Sequence, residues 1–291
     1  GKRISQRHCI ERNDMLRNHV LPVFGPMKLT DIDSLTIKAF KNDLYREGKS
    51  GSLINKCLCI LRAILNAAEE RNLIKAIPKI QRAVENPKIK GILALDEVNH
   101  LFKIPWMDYR GYVGNLLAAS TGLRLGEIQA LTIEDIHLNK GYISIHRSWD
   151  NRLNMMNETT KTGRSRTVFI PHKVIQEIEC LVMAHPSPTP ASFLFFGEIK
   201  QNQPADKKYF VKTLYRALRL IGIDESERKK RNITFHSWRH WYNSLLINAR
   251  IPLQKVQALT GHLTHEMSQH YYHVDDMTDV KELVNSIFEK P

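Results

Sequence analysis

The residues YISIHRS, numbered 142–148, alternate between apolar and polar side chains. A second alternating run, RTVFIP, covers 166–171, and KTGRS between the two runs supplies a turn that contains glycine. Alternation with a period of two is typical of strands with one buried face, so the pair predicts a small antiparallel sheet. The other periodic segments have the spacing of amphipathic helices. The sequence therefore predicts a mainly α protein with a small antiparallel β-sheet, an α+β fold.

The first 90 residues show helical patterns only. A segment that starts at Asp33 or Ser34 and stops at Gly48 carries an apolar stripe, and the strongest helix pattern follows from residue 51. The stretch AIPKIQRAVENPKIKG (76–91) then combines two prolines, a glycine and scattered lysines, which is the composition of a linker. We therefore predict a helical domain at 1–90, with a linker at about 78–91, and a mixed domain at 92–291.

The charge of the chain is unevenly distributed. The sequence has 43 Lys and Arg against 30 Asp and Glu, a formal net charge of +13, and the first 90 residues hold 18 of the former and 9 of the latter. A strongly basic first third favours a polyanion as partner. The alternative is a basic protein that has no such partner.

The apolar runs, the cysteines and the first residue of the chain indicate what kind of protein and which compartment to expect. No run approaches 18 consecutive apolar residues, so no membrane span is expected. The four cysteines lack zinc-finger spacing and disulfide density, and we therefore expect a reducing cytoplasm. Because the chain begins at Gly1 rather than methionine, we expect a fragment or a trimmed tag, with a further N-terminal module outside it.

Four segments carry side chains suited to binding or transforming an anion. They are TGLRLGEI (121–128), TKTGRSRT (160–167), HSWRH (236–240) and LTGHLTHEMSQHYYHV (259–274). Each has an ordinary structural explanation, such as a helix-surface ion pair in the first or a solvated turn in the second. The crowded histidines also suggest a metal site. However, HExxH is absent and no acidic or cysteine ligand recurs with them, so no metal is expected.

Taken together, six residues in this order resemble the catalytic set of the tyrosine recombinase (phage integrase) family: Arg124, Lys161, His236, Arg239, His262 and Tyr271. The family motifs TGLRxGE, TKT, HxxRH and GH are matched at 121–127, 160–162, 236–240 and 261–262. In the family the nucleophilic tyrosine follows the last histidine by nine positions, which favours Tyr271 over the adjacent Tyr272. Residues 28–72 are similar to the family's helical core-binding domain. One departure is Trp238, where the family usually has leucine.

The resemblance implies DNA strand exchange through a 3′-phosphotyrosine intermediate and a Holliday junction. The arginines Arg124 and Arg239 would clamp the phosphate, because a planar guanidinium fits the charge of the transition state. The resemblance also implies that Lys161 gives a proton to the leaving group and that His236 acts as an acid and base near the tyrosine. It implies that His262 donates a hydrogen bond to the phosphate, and that Glu127 and His240 support these residues. An ordinary helix salt bridge remains the alternative for Glu127.

The expected partners are double-stranded DNA at specific recombination sites and further copies of the chain in a tetramer, with accessory DNA-bending proteins as additional candidates. The resemblance implies that a C-terminal helix at about 277–288 docks on a neighbouring protomer; the alternative is packing on its own domain. The helical and catalytic domains would together clamp the duplex, without cofactor, metal or membrane. Two other functions remain open: a type IB topoisomerase, against which the TKT hairpin and the tail argue, and a non-catalytic DNA-binding regulator, against which the complete catalytic set argues.

Overall fold

The computed structural model describes residues 5–86, 91–160, 163, 165–200, 202–261 and 278–288. The chain divides into two compact units, unit 1 at 1–88 and unit 2 at 89–291. Both units are mainly helical, and the strands form small antiparallel sheets in unit 2 alone among the described residues. The prediction of a mainly α fold with a small antiparallel sheet is confirmed.

The helices of unit 1 are α1 (Gln6–Met15), α2 (Leu21–Phe24), α3 (Ser34–Arg46) and α4 (Gly51–Glu70), with a π-helical stretch at Leu16–Val20. The helices of unit 2 are α5 (Leu95–Lys103), α6 (Tyr109–Thr121), α7 (Leu125–Ala130), α8 (His172–Met183), α9 (Lys207–Leu220), α10 (Glu225–Lys230), α11 (Ser237–Asn248), α12 (Leu253–Thr260) and α13 (Thr278–Phe288). Its strands are β1 (Ile136–His137), β2 (Tyr142–Ile145), β3 (Ser148–Asp150), β4 (Met155–Asn157) and β5 (Arg166–Phe169).

Helix α4 forms the centre of unit 1. Its buried apolar side chains, among them Ile54, Leu61 and Leu65, pack with those of α3 and with Phe24, whose ring lies edge-on to Phe40 at 5.0 Å. Helix α4 is long and apolar enough to cross a membrane by length and composition. Its apolar side chains nevertheless form the core of unit 1, which is typical of a core helix.

The segment expected to be a linker instead packs on unit 1 through residue 86. Ile80 and Ala83 are buried, and the Asn55 side chain pairs with both backbone groups of Ala83, donating to its carbonyl at 3.0 Å and accepting from its N–H at 2.8 Å. A Cβ on Gly51 would lie 2.0 Å from the Val84 carbonyl oxygen, so this glycine permits the close approach. We call residues 77–86 the strap; it belongs to the core of unit 1.

Helix α6 forms the centre of unit 2. It is buried from Val113 to Thr121 and packs against α8, α9 and α11. Beside it lies a three-stranded antiparallel sheet in the order β1–β2–β5, with Tyr142 opposite Phe169 and Ile145 opposite Arg166. The two alternating runs of the sequence therefore pair as predicted, and their apolar faces join the core.

The connection between β2 and β5 contains a second sheet that the sequence prediction missed. Strands β3 and β4 form a hairpin that packs on α7, where a Cβ on Gly126 would lie 2.8 Å from the Trp149 carbonyl oxygen. The hairpin has only three residues in each strand, too few for alternation to stand out.

Helix α13 packs on unit 2 of its own chain. Val280, Val284 and Phe288 are buried, and the Phe288 ring lies 6.2 Å from Phe102 and 6.1 Å from Trp241. Docking of this helix on a neighbouring protomer stays a prediction, because the structure contains one chain.

Candidate active site

The first arginine of the candidate site lies at the junction of α6 and α7. Gly122 ends α6 with a left-handed φ of +65°, and Arg124 then occupies the N-cap position of α7. The Arg124 backbone N–H donates to Glu127 Oε2 at 2.9 Å, and its Nη1 donates to Glu127 Oε1 at 3.0 Å. Since the Glu127 side chain is 2% exposed, this pair is not the surface salt bridge that remained open from the sequence.

A second guanidinium holds the same carboxylate. Arg166, the first residue of β5, donates from Nη1 to Glu127 Oε1 at 3.1 Å and from Nη2 to Oε2 at 2.7 Å. Its Nε donates to the Leu259 carbonyl oxygen at 2.9 Å. The sequence prediction treated this arginine only as part of a basic turn. The available signal was its position at the start of an alternating strand, next to a motif that carries a lysine.

The pKa of Glu127 lies below its ordinary value. Burial disfavours the charged carboxylate, but the hydrogen bonds and charge of Arg166, and then those of Arg124, outweigh burial. The carboxylate therefore stays ionised at neutral pH and offers two acceptor oxygens to two arginines.

Arg239 from α11 completes the cluster. It is 2% exposed; Nη1 donates to the Gly122 carbonyl at 3.0 Å, and Nη2 donates to the Thr260 carbonyl. Both acceptors lie at helix C-terminal ends, where the helix dipole favours a cation. Burial, followed by the neighbouring charge of Arg124, lowers the pKa of Arg239 to about 9, so the guanidinium remains protonated at neutral pH.

The cluster carries more positive than negative charge. The guanidiniums of Arg124 and Arg166 act on the pKa of Glu127, and Arg124, Arg166 and Glu127 in turn act on the pKa of Arg239, so three positive charges and one negative charge lie together. The Arg124 side chain is 21% exposed and the Arg166 side chain 10%. An uncompensated guanidinium charge with partial access to solvent is suited to bind an oxyanion such as a phosphodiester.

The histidines of the HxxRH motif lie at the start of the same helix as Arg239. His236 is exposed at the N-terminal end of α11, and its ring is perpendicular to that of His240 at 5.0 Å. Arg124 and Glu127 thus lie at the start of α7, and Arg239 and the two histidines lie at the start of α11. Within the described ranges, no group of three or more His, Cys, Asp or Glu residues could hold a metal ion.

Three of the expected catalytic residues lie outside the described residues: Lys161, His262 and Tyr271. The residues next to two of them are described. Thr160 is buried directly before Lys161, and Gly261, directly before His262, presents its carbonyl 3.5 Å from Arg124 Nη2. Gly261, at the end of α12, therefore lies beside Arg124.

Trp238 has a buried polar partner. Its Nε1 donates to Asn115 Oδ1 at 2.9 Å, and Asn115 in turn donates to carbonyls of Gly111 and Phe210. This hydrogen bond joins α11 to α6 beside Arg239. The larger side chain in place of the family's usual leucine therefore adds a fixed polar contact as well as volume.

Comparisons with known proteins agree with this fold. The phage integrase family matches residues 92–278, and the N-terminal SAM-like domain of phage integrases matches residues 2–45. Tyrosine recombinase XerA of Pyrococcus furiosus is 28% identical over 241 residues, which cover 81% of this chain and 74% of that protein. The chain belongs to the phage integrase family, and it is a tyrosine-type site-specific DNA recombinase.

Two solved structures share the fold. The Tn1549 transposon integrase in complex with transposon right end DNA has a TM-score of 0.77 at 18% identity, covering 94% of this chain and 92% of that one. The lambda integrase tetramer bound to a Holliday junction has a TM-score of 0.70 at 17% identity, covering 94% and 75%. The similarity extends over both units.

Proposed function

We propose that the chain cleaves and rejoins double-stranded DNA at specific sites through a 3′-phosphotyrosine bond, and that it exchanges strands through a Holliday junction. The arginine cluster carries this proposal. Arg124 and Arg166 both bind the buried Glu127 carboxylate, and the buried Arg239 lies near enough for the charges of all three residues to act on its pKa. A phosphodiester is an anion that would offset the remaining charge, and the guanidinium plane matches its non-bridging oxygens.

The covalent step is a transesterification at phosphorus. The Tyr271 hydroxyl attacks the scissile phosphate, the bond between phosphorus and the 5′-oxygen breaks, and a 3′-phosphotyrosine forms. The tyrosine proton passes to a base, for which His236 is the candidate, and the leaving 5′-oxygen takes a proton from Lys161. The partner strand's 5′-hydroxyl then reverses the reaction, so the phosphodiester is remade without an external energy source.

The arginines stabilise the charge that develops during this step. Arg239 is fixed by two helix-end carbonyls and Arg124 by the Glu127 carboxylate, so both are oriented before the substrate arrives. Preorganised donors of this kind contribute about 3–4 kcal/mol each to transition-state stabilisation. His262 would add a hydrogen bond to the same phosphate, and His240 would support His236.

Unit 1 supplies additional DNA contacts in this proposal. The first 90 residues hold twice as many basic as acidic residues, 18 against 9. Such an excess favours phosphate contacts and a steep dependence of affinity on salt. Four copies would act on two DNA partners, as in the lambda integrase tetramer on a Holliday junction, with α13 docking between copies and with accessory DNA-bending proteins at some sites.

A trapped intermediate tests the covalent step. Half-sites are first selected from random-sequence duplexes by binding to the wild-type protein, and a nick is then placed beside the cleavage position so that the short 5′-hydroxyl fragment diffuses away. The wild type should accumulate a covalent protein–DNA adduct. Tyr271→Phe should form none, whereas the matched variant Tyr272→Phe should form it normally. An adduct with Tyr271→Phe, or its loss with Tyr272→Phe only, would assign the nucleophile to the other tyrosine.

Strand exchange is tested separately from cleavage. Wild type and Tyr271→Phe are mixed on two labelled partner sites, and junction molecules that contain both labels are measured. Junctions support recombination. Cleavage and relaxation of supercoiled DNA without junctions would instead support the topoisomerase alternative.

A further inference from the structure

We infer that Arg166 is a positioning residue for DNA cleavage, acting through Glu127 on the phosphate-binding arginine Arg124. This inference rests on the proposed function. It adds a residue that is absent from the six-residue catalytic set and that the sequence motifs do not mark. Arg166 itself need not touch the substrate, because its three nitrogens are all engaged by protein groups.

The contacts of Arg166 join three segments of the chain. The residue lies at the start of β5, its Nη atoms bind Glu127 in α7, and its Nε binds the carbonyl of Leu259 near the end of α12. In sequence, Arg166 follows Lys161 by five residues, and Leu259 precedes His262 by three. One side chain therefore connects the segments that carry an arginine, a lysine and a histidine of the catalytic set.

The Glu127 carboxylate depends on this arrangement. Oε1 accepts from Nη1 of both Arg124 and Arg166, while Oε2 accepts from the Arg124 backbone N–H and from Arg166 Nη2. Without Arg166 the carboxylate would lose two of its four donors, and its orientation toward Arg124 would be less restricted. Side chains that orient metal ligands from behind typically contribute 10- to 100-fold to function, and we expect a comparable effect for a side chain that orients a phosphate-binding arginine.

The geometry requires a guanidinium at this position. Two Nη atoms face the carboxylate and Nε faces a carbonyl on a different element. A lysine ammonium retains the charge but is a compact group that does not reproduce the planar fork. Arg166→Lys should consequently preserve part of the function, and Arg166→Gln should preserve less.

The pH dependence of the cleavage rate distinguishes a positioning role from a merely structural one, because a structural role would leave it unchanged. The charged groups facing Glu127 are Arg124, Arg166 and Arg239, and Arg166 is the strongest of the influences that lower its pKa. Burial raises the pKa of Glu127, and Arg166 counteracts that effect. Without Arg166 the pKa of Glu127 should therefore rise. The cleavage rate of Arg166→Gln should then fall at a higher pH than that of the wild type as the solution is acidified.

The experiment is single-turnover cleavage of the nicked half-site by the full chain at saturating protein. For Arg166→Gln we expect a rate constant lower by roughly 10- to 100-fold and DNA binding close to that of the wild type. We also expect the acid limb, the part of the pH–rate curve where the rate falls on acidification, to lie at higher pH. Arg166→Lys should lie between the two, with a smaller shift. Circular dichroism of each variant measures the folded fraction, and the single-turnover rate constant reports positioning.

Arg231→Gln is the matched control. Arg231 also donates from both Nη atoms to one carboxylate, Glu97, at 2.7 Å each, and the substitution removes the same charge. We expect it to lower stability but to leave the rate constant and acid limb unchanged.

Three results would overturn the inference: a wild-type rate constant in Arg166→Gln, an equal loss of rate in Arg231→Gln, or an unshifted acid limb in both Arg166 variants. If Arg166→Gln fails to fold, Arg166→Lys decides: a wild-type rate and pH profile there contradict the inference. If the wild type itself forms no adduct, the proposed function fails, and this outcome is distinct from a failure of the Arg166 assignment alone.

Discussion

Two glutamates of unit 2 occupy equivalent local positions and differ in their surroundings. Glu97 accepts from the Ala94 backbone N–H at 2.7 Å at the start of α5, and Glu127 accepts from the Arg124 N–H at 2.9 Å at the start of α7. Each also binds an arginine from a distant segment through both Nη atoms. The Glu97 side chain is 25% exposed, whereas that of Glu127 is 2% exposed.

The two glutamates differ in the number of arginines around them, and this number distinguishes a structural ion pair at Glu97 from a candidate binding site at Glu127. Glu97 and Arg231 balance each other, and the pair stabilises the connection between α5 and the residues before α11. At Glu127 the same capping motif meets Arg124, Arg166 and the nearby Arg239, and positive charge remains in excess. This surplus of positive charge at a buried location is the reason why Glu127 is assigned to the proposed phosphate site.

Removing the most buried arginine should have the largest effect on activity. Arg239→Ala removes a guanidinium that the proposed function assigns to the phosphate, and it also leaves the Gly122 and Thr260 carbonyls without their partner. We expect single-turnover cleavage to fall by roughly 10²- to 10³-fold. Arg239→Lys should be nearly as slow, since one ammonium cannot hold the two carbonyls and the phosphate together. A loss of less than tenfold in both variants would remove Arg239 from the clamp.

Neutralising Glu127 should have the next largest effect, and it acts mainly on stability. Glu127→Gln leaves the arginines without their buried counter-charge, for which a destabilisation of about 3–5 kcal/mol is expected. Urea denaturation measures the loss. Added sulfate should raise the midpoint of the variant more than that of the wild type, because an anion replaces the missing charge. A change near zero, with or without sulfate, would show that the arginines do not depend on this carboxylate.

The corresponding change at the partly exposed pair of Glu97 and Arg231 should have the smallest effect. Glu97→Gln should reduce the free energy of unfolding by less than about 1 kcal/mol and leave DNA cleavage unchanged. Arg231 is the main influence that lowers the pKa of Glu97 below the ordinary 4.5, so the carboxylate's contribution is present above that pH and lost as pH falls through the folded-state pKa. Below pH 4.5 the stability of the variant should therefore depend less on pH. Equal destabilisation by Glu97→Gln and Glu127→Gln would contradict the distinction drawn between the two sites.

Much of the fold could be predicted from the sequence because it depends on local periodicity. The apolar stripe and cap of α3, the pattern of α4, and the alternation of β2 and β5 are properties of neighbouring residues. The strap could not be predicted. The prolines and lysines of residues 76–91, which include the strap, have the composition of a linker, and the burial of the strap depends on Asn55, a polar side chain on a helix some 28 residues away in sequence.

The candidate site also contains residues that the sequence predicts and residues that only the fold reveals. The order and spacing of the motifs predict Arg124, Arg239 and His236 as site residues, and they also predict Lys161, His262 and Tyr271, which lie outside the described residues. The sequence alone does not single out Arg166, because a basic residue near a turn is usually solvated. Only the fold brings it within 2.7 Å of Glu127 Oε2, 39 positions away along the chain.

The sequence by itself determined the family, the helical and strand elements and the residue types needed for phosphate chemistry, because these are encoded in short motifs and their order. The tertiary structure decided which charges share a carboxylate, which are buried and which of two similar glutamates retains a positive surplus. The physical reason is that burial and charge balance depend on residues from distant segments. At this site β5, α7, α11 and α12 together set the balance around Glu127.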